Sequence, residues 1–390
     1  MRKFFILLYL QLALCCSTFA ANYLTFTAEK DSSSFSIEDH DIKSNIFYSL
    51  DNGETWKQLT NEPVSLSKGD RALLKGEEPD SKPTAKNYFN FQMSGLIAAS
   101  GSVMSLIDED GEGKTIPYEY CFFRLFQNCT SLTQAPELPA TTLAERCYFG
   151  MFYNCTSLTK APELPATTLA VSCYQSMFYN CTSLTKAPEL PAKTLAKCCY
   201  CYMFYRCTNL KQAPELPATT LAEECYASMF ERCTSLTKAP ELPATTLVLS
   251  CYCNMFNKCS NLAYIKVAFT DWKGVTSTIN WATDVAKNGT FICPKELIIE
   301  YDNVSKIPVT WTVNWLETRT EAVATEESMK VQTSGLTIFV SNADTDIEVY
   351  EVGGRLIDKA RNTNGDTQIT VPLSGIYLVK AGAQTFKVAL

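Results

Sequence analysis

The amino-acid sequence predicts an α+β chain: a solenoid of 26-residue strand-bend-helix coils flanked by N- and C-terminal β-sandwich modules. Three observations carry that expectation. Cys129, Cys155, Cys181, Cys207, Cys233 and Cys259 recur every 26 residues, each followed by Thr or Ser, then Ser or Asn, then Leu. A second series, Cys121, Cys147, Cys173, Cys199, Cys225 and Cys251, keeps the same interval eight residues upstream. On either side of this array the chain alternates apolar and polar residues, as half-buried β-strands do.

Residues 1–20 read as a signal peptide. Arg2-Lys3 supplies the charged start, Phe4 to Cys16 an apolar run, and Thr18-Phe19-Ala20 a small-residue cleavage site. Leu14 before Cys15 fits a lipoprotein signal poorly. No other segment approaches the ~20 apolar residues of a membrane span, so the chain is expected to be secreted or displayed at the cell surface, on the outer membrane exterior, without a span. Residues 21–107 form the first β module, with strands expected at Tyr23–Thr27, Asn45–Ser49, Arg71–Leu74 and Phe89–Met93. Within it, Ser49-Leu50-Asp51-Asn52-Gly53-Glu54-Thr55-Trp56 resembles the Asp-box hairpin of sialidases; the segment is too short for a propeller, and it reads as a structural turn. Residues 108–116 read as a linker.

The solenoid is placed at residues 117–270. In a typical unit, Leu158 and Ala161 lead into Pro162-Glu163-Leu164-Pro165, where the prolines forbid helix and shorten any strand. Leu169, Cys173, Met177 and Cys181 then fall four apart, the stripe of a short helix. Thr142 with Glu145, and Thr220 with Glu223, fit capping boxes for that helix. One unit cannot bury its apolar face alone, so the units stack. Eight residues along a helix span about 12 Å, too far for a disulfide within a coil. Equivalent cysteines of neighbouring coils would lie about 4.8 Å apart, forming two core ladders, with cross-coil disulfides as the alternative to free thiols. Asn261–Phe269 reads as a last strand. Ile279–Ala286 reads as a helix, and Thr290–Ile292 and Val309–Val313 as strands, of a cap over residues 271–316. A linker at 317–329 precedes the second β module, residues 330–390.

Comparing the units with one another separates scaffold from surface. The residues flanking Cys-Tyr and those following Met-Phe vary, as in Glu145-Arg146, Val171-Ser172, Lys197-Cys198, Glu223-Glu224 and Leu249-Ser250, and read as a solvent-facing side. On the strand and bend, Gln134, Lys160, Lys186, Gln212 and Lys238 form one polar rib and Glu137, Glu163, Glu189, Glu215 and Glu241 another. These ribs are the candidate binding face, for an extracellular protein or glycan. Cys198-Cys199-Tyr200-Cys201 contains a Cys-x-x-Cys without a second pair at zinc-finger spacing, and no metal is assigned. No cofactor is expected.

Net charge is −7, about −9 once Arg2 and Lys3 are removed, and there is no basic run, so nucleic acid is excluded as a partner. His40, the single histidine, lies in Glu38-Asp39-His40-Asp41 and reads as a solvated loop residue, not a catalytic base. The glutamates recur as near-identical copies, which suits a repeated surface better than one acid/base pair, and no catalysis is expected.

The string Met-Phe-x-x-Cys-Thr-Ser-Leu-Thr followed by Leu-Pro, as in Met151 to Pro165, resembles the BspA-type leucine-rich repeat of exported Bacteroidetes proteins. Met-Phe stands here for Ala-Phe, the unit is longer by a few residues, and Pro136 and its equivalents interrupt the strand. That resemblance implies a leucine-rich-repeat-like solenoid and adhesion at the cell surface. Val352-Gly353-Gly354-Arg355-Leu356, with Ser374-Gly375-Ile376-Tyr377, resembles the C-terminal sorting domain of type IX secretion, implying contact between residues 330–390 and the secretion machinery. The expected function is therefore an exported binding protein; the alternative is a structural spacer or coat without a specific ligand.

Overall fold

The computed structural model describes residues 22–77, 81–272 and 276–316, and, further on, 330–334, 336–341, 346–351, 354–360, 367–381 and 384–390. The predicted signal peptide and the 317–329 linker lie outside the described residues. Residues up to Leu316 and those from Glu317 onward form two compact units.

The first unit begins with β1 Leu24–Ala28, β2 Ser33–His40, β3 Ile46–Ser49, β4 Lys57–Gln58, β5 Val64–Leu66, β6 Arg71–Gly76, β7 Tyr88–Ser94, β8 Ile97–Ser100 and β9 Leu132–Gln134. They make a six-stranded sheet in the order β4-β3-β6-β1-β8-β9 and a three-stranded sheet β5-β2-β7. Phe26 joins the two, meeting Phe35 and Phe91 edge-on at 5.3 and 5.0 Å. The β8–β9 pairing is parallel, whereas β8 is antiparallel to β1, so the sheet continues from the hairpin strands into the first coil. A single apolar core runs from Leu24 to Trp311. The segment read as a linker is pinned to the strands: Asn22 donates its N–H to the Asp110 carbonyl at 2.8 Å.

The helices predicted for the coils are not formed, and the α+β class is wrong. Strands make up 30% of the described residues and helix 1%, the described helix being one 3-10 turn, Val103–Leu106. Each predicted helix is instead a run of tandem turns. In residues 144–155, the N–H groups of Cys147, Phe149, Met151, Tyr153 and Cys155 bond the carbonyl three residues back at 2.9–3.3 Å. The alternate N–H groups, of Arg146, Tyr148, Gly150, Phe152 and Asn154, leave the coil and bond carbonyls of the next one, Val171 to Tyr179, at 2.7–3.0 Å. A helix would satisfy every interior N–H within itself; here half the donors tie one coil to the next. The chain turns back by taking the left-handed region at every fourth residue, as at Ser172, Ser176 and Asn180. Gly150 occupies such a position in its coil, and a Cβ there would lie 3.3 Å from the Arg124 side chain.

The proline segments do not form continuous strands either. Single parallel bridges, Gln134 to Lys160, Thr168 to Thr194 and Lys186 to Gln212, connect the middle coils, because proline offers no N–H to a ladder. Of the threonines read as helix caps, Thr142 lies in this bridging region: it bridges Thr115, and Ile116 donates to its carbonyl at 2.9 Å. Side-chain stacks fill the interior. Phe126, Phe152, Phe178, Phe204, Phe230 and Phe256 lie nearly parallel at 5.4–5.9 Å, beside a column of Phe122, Tyr148, Tyr174, Tyr200, Tyr226 and Tyr252 at 5.7–6.0 Å.

The far end regains a sheet, with β10 Glu241–Leu242, β11 Tyr264–Val267, β12 Thr290–Cys293 and β13 Thr312–Trp315 in parallel sequence. The helix predicted at Ile279–Ala286 is again tandem turns, with Asn280 and Asp284 left-handed and the carbonyls of Ile279, Trp281 and Thr283 accepting from the preceding coil. Trp281 takes the next place in the phenylalanine column, 6.5 Å from Phe256.

The second unit contains β14 Lys330–Ser334, β15 Thr337–Ser341, β16 Ile347–Glu351, β17 Leu356–Ala360, β18 Thr367–Thr370, β19 Ile376–Ala381 and β20 Gln384–Ala389. They form sheets β14-β15-β18 and β17-β16-β19-β20 around a core that includes Ile338, Val349, Ile369 and Val379. Tyr377 is buried, and its hydroxyl donates to the Leu373 carbonyl at 2.8 Å. Among the described residues no helix is long and apolar enough to cross a membrane.

Candidate binding surface

The coil architecture sorts the repeat positions into buried columns and two exposed faces. Both cysteine series are buried: Cys121, Cys147, Cys173, Cys199, Cys225 and Cys251 lie next to the aromatic column, and Cys129, Cys155, Cys181, Cys207, Cys233 and Cys259 close each tandem-turn run. In the second series each thiol donates to a phenylalanine carbonyl, as from Cys181 to Phe152 and Cys233 to Phe204 at 3.1 and 3.0 Å. Desolvation raises the thiols, to about 12 at Cys147, Cys199, Cys207 and Cys259, and they stay protonated packing groups.

The two polar ribs are exposed throughout, from Gln134, Lys160, Lys186, Gln212 and Lys238 to Glu137, Glu163, Glu189, Glu215 and Glu241. Their ends are engaged. Glu137 accepts from Asn22 at 2.9 Å, Glu241 pairs with Lys266 at 3.0 Å, and the Lys238 ammonium lies 4.8 Å from the Tyr264 ring centre. Among the described residues, no ion pair involves Lys160, Lys186, Glu163, Glu189 or Glu215.

The tandem turns present a different surface. Tyr153, Tyr179 and Tyr205, one per coil, stack half-buried with ring centres 4.4 and 4.5 Å apart and planes within 14°. The adjoining column is an amide ladder: Asn180 donates to Asn154 at 2.6 Å and Asn154 to Asn128 at 3.1 Å. These asparagines occupy left-handed positions, which their short polar side chains tolerate. Burial and the neighbouring phenols push Tyr179 up to about 12, so its hydroxyl is a neutral donor and acceptor at physiological pH. Exposed Tyr202 lies 5.9 Å from Tyr205, and exposed Arg206 follows it in the chain.

Toward the N-terminal strands the same face carries Phe149 against Phe123 at 5.2 Å, with the Arg124 guanidinium over both rings and that of Arg146 over Tyr120 at 5.5 Å. His40 is not a loop residue. It ends β2, half-buried, stacked on Tyr88 at 4.4 Å with Nε2 2.8 Å from the Asn90 Oδ1. The Asp-box segment is a hairpin turn between β3 and β4, in which Asp51 accepts from Ser49, from the Thr55 N–H and from the Thr55 hydroxyl, lowering its carboxyl to about 2. Two surface concavities lie on the N-terminal strands and their loops, one lined by Ser32 to Ser34 and Ser65 to Ser67, the other by Glu38, Asp39, Lys43 and Ser44.

Reading the sequence places the variable columns on a solvent-facing side but picks out only the ribs. The tyrosine stack lies in the pair after Met-Phe, and its signal is visible in retrospect: three tyrosines at one repeat position. Comparison with protein-family models, curated proteins and solved structures finds no match to the chain.

Proposed function

We propose that the chain is an exported, cell-surface binding protein of BspA-like type whose coils present an extended face to an extracellular glycan or protein, with residues 330–390 serving its export. The observation that carries the reading is the Tyr153–Tyr179–Tyr205 stack with its amide ladder. It offers a row of phenol hydroxyls and carboxamides at the spacing of the coils. A polysaccharide has the matching chemistry: hydroxyls that exchange hydrogen bonds with such a row, and C–H faces that pack on exposed Tyr202. The rings are already held by one another, so little rotamer freedom is lost on binding. The ridge carries Arg206, and in the following coil the tyrosine position holds Glu231, which accepts from Asn257 at 3.0 Å, whereas the charged ribs would serve a protein partner.

The test is binding of the mature full-length protein to matrix proteins, plasma proteins, mucins and glycans across salt concentrations. Saturable glycan binding, weakened about tenfold or more by Tyr179→Ala with Tyr205→Ala, is the expected result. Binding lost only on charge reversal at Lys160, Lys186 and Lys238 would move the site to the ribs. Absence of binding across the panel would leave a structural spacer or coat.

A further inference from the structure

Four described cysteines stand outside the two buried ladders: Cys198, Cys201, Cys253 and Cys293. Two of them share one turn. The Cys201 N–H donates to the Cys198 carbonyl at 3.2 Å, and Cys198 takes the left-handed conformation, φ 54°, so the turn folds the two side chains toward each other. Stacking adds a third group. Glu224 follows Cys198 by one 26-residue repeat, and its carboxylate lies 3.4 Å from the Cys198 sulfur. The two sulfurs and a carboxylate oxygen of Glu224 all fall within 4.8 Å of one another. Cys201 is buried, while Cys198 and Glu224 are half-buried, so the group has a closed floor and an open side.

The 3.4 Å S···O separation matches one edge of a coordination polyhedron, and the 4.8 Å limit on the trio lets the second sulfur reach the same ion. With metal–sulfur distances near 2.3 Å and metal–oxygen near 2.0 Å, a tetrahedral zinc ion needs S···O of about 3.5 Å and S···S of about 3.8 Å. Two thiolates and one carboxylate form a soft donor set that favours zinc over magnesium or calcium. No other trio of histidine, cysteine or acidic residues is gathered so closely among the described residues. The equivalent positions one coil earlier are Ser172, Gln175 and Cys198, and one coil later Glu224, Ala227 and Ser250, so the set arises once, where the repeat departs from its own pattern. Lys197 pairs with Glu223 at 3.0 Å and lies 3.9 Å from Glu224, placing a positive charge beside the anionic ligands.

We infer that Cys198, Cys201 and Glu224 form a binding site for a soft divalent cation, zinc foremost, spanning two adjacent coils with its fourth position open to solvent. On binding, each thiol releases its proton to solvent, and the two thiolates, one carboxylate and the dication together carry one negative charge. The ion cross-links consecutive coils beside the tyrosine stack.

The mature full-length protein, reduced and stripped with a chelator, is titrated with cobalt(II), whose thiolate charge-transfer absorption reports sulfur ligation, and the bound cobalt is then displaced by zinc. One equivalent is expected to bind with that absorption. Cys198→Ser should abolish it while circular dichroism stays unchanged, and Glu224→Gln should weaken binding roughly tenfold or more. Because Cys201 is buried, the exposed-side variants Cys198→Ser and Glu224→Gln carry the test if Cys201→Ser fails to fold. A titration without thiolate absorption in the folded protein overturns the assignment, as does absorption that survives Cys198→Ser. Peptide mapping that finds Cys198 and Cys201 joined as a disulfide in the exported protein, with no metal uptake after reduction, overturns it as well.

Discussion

The two thiol columns make the stability of the first unit a steep function of alkaline pH. Burial raises every ladder cysteine, to about 11 at Cys251, about 12 at Cys147, Cys199, Cys207 and Cys259, and upward at the other seven. In the unfolded chain the same thiols titrate near the ordinary value of about 8.5. A raised folded-state value means that the stabilisation is complete below about pH 8.5. It is lost as pH climbs toward the folded values, because the unfolded chain sheds protons that the folded chain retains. Each thiol then weighs against folding by roughly 0.2 kcal/mol at pH 8 and 0.8 kcal/mol at pH 9. Twelve together remove on the order of 8 kcal/mol across that single pH unit, comparable with the ~5–15 kcal/mol that holds a domain folded. The coils are therefore expected to unfold between about pH 8.5 and 9.5 in the presence of a phosphine reductant. Equilibrium circular dichroism from pH 7 to 10 follows the transition. In parallel, thiol titration at neutral pH should find the ladder unreactive until denaturant exposes it. A fold that persists through pH 10 while all 16 cysteines beyond the signal segment titrate in denaturant would refute the argument. Few titratable thiols even in denaturant would instead reveal cross-coil disulfides.

Two further substitutions probe the coil geometry. Met177 is fully buried, and its carbonyl accepts from Phe152 at 2.9 Å; Met177→Asp places a charge among stacked rings at a cost of several kcal/mol. Hydrogen exchange should show protection lost in the coils on both sides, and protection equal to the parent's would contradict the inward placement. Arg206, Arg232 and Lys258 hold φ of 60°, 64° and 62° at positions where earlier coils use asparagine. Arg206→Gly should raise stability by about 1 kcal/mol in denaturant melts, and a loss of stability would mean that the Arg206 side chain contributes more than the strain it imposes.

Four strands of the first module are legible because their alternation has one reading: Tyr23–Thr27, Asn45–Ser49, Arg71–Leu74 and Phe89–Met93 coincide with β1, β3, β6 and β7 to within one or two residues, whereas β2, whose end at His40 reads as a loop, β5 and β8 are not among the strands expected. The repeat was equally plain. Its secondary structure was misread because Leu169, Cys173, Met177 and Cys181 fall four apart, and an apolar spacing of four is shared by helix and tandem turn. The discriminating detail is its strictness. In a helix a step of four slips by about 40°, so a stripe held through three steps drifts by roughly 120° off its face unless threes are interspersed. Tandem turns with a left-handed residue at every fourth position keep Cys173, Met177 and Cys181 all buried. Ser172, Ser176 and Asn180 at those positions are poor helix interiors and good turn residues, a local signal that agrees with the turns and was outweighed by the apolar spacing.

What could not be read from one sequence is which variable columns meet. The tyrosines lie in positions that looked merely solvent-facing, and Cys198 and Glu224 become neighbours only once the coils stack in register. The same stacking concentrates the departures from the repeat in one place. Between Lys197 and Arg206 a single coil contributes Cys198 and Cys201, both outside the ladders, exposed Tyr202, the last ring of the tyrosine stack and the first arginine to replace an asparagine. Apart from Cys201, the buried positions of that stretch keep their repeat identity: Cys199, Tyr200, Met203, Phe204 and Cys207. Packing therefore accounts for the residues that repeat, and chemistry specific to this protein has to be sought in the residues that do not. A metal ion at Cys198, Cys201 and Glu224 would tie this coil to the one that follows it, beside the end of the hydroxyl row formed by Tyr153, Tyr179 and Tyr205, and so would stiffen the surface where the proposed ligand binds.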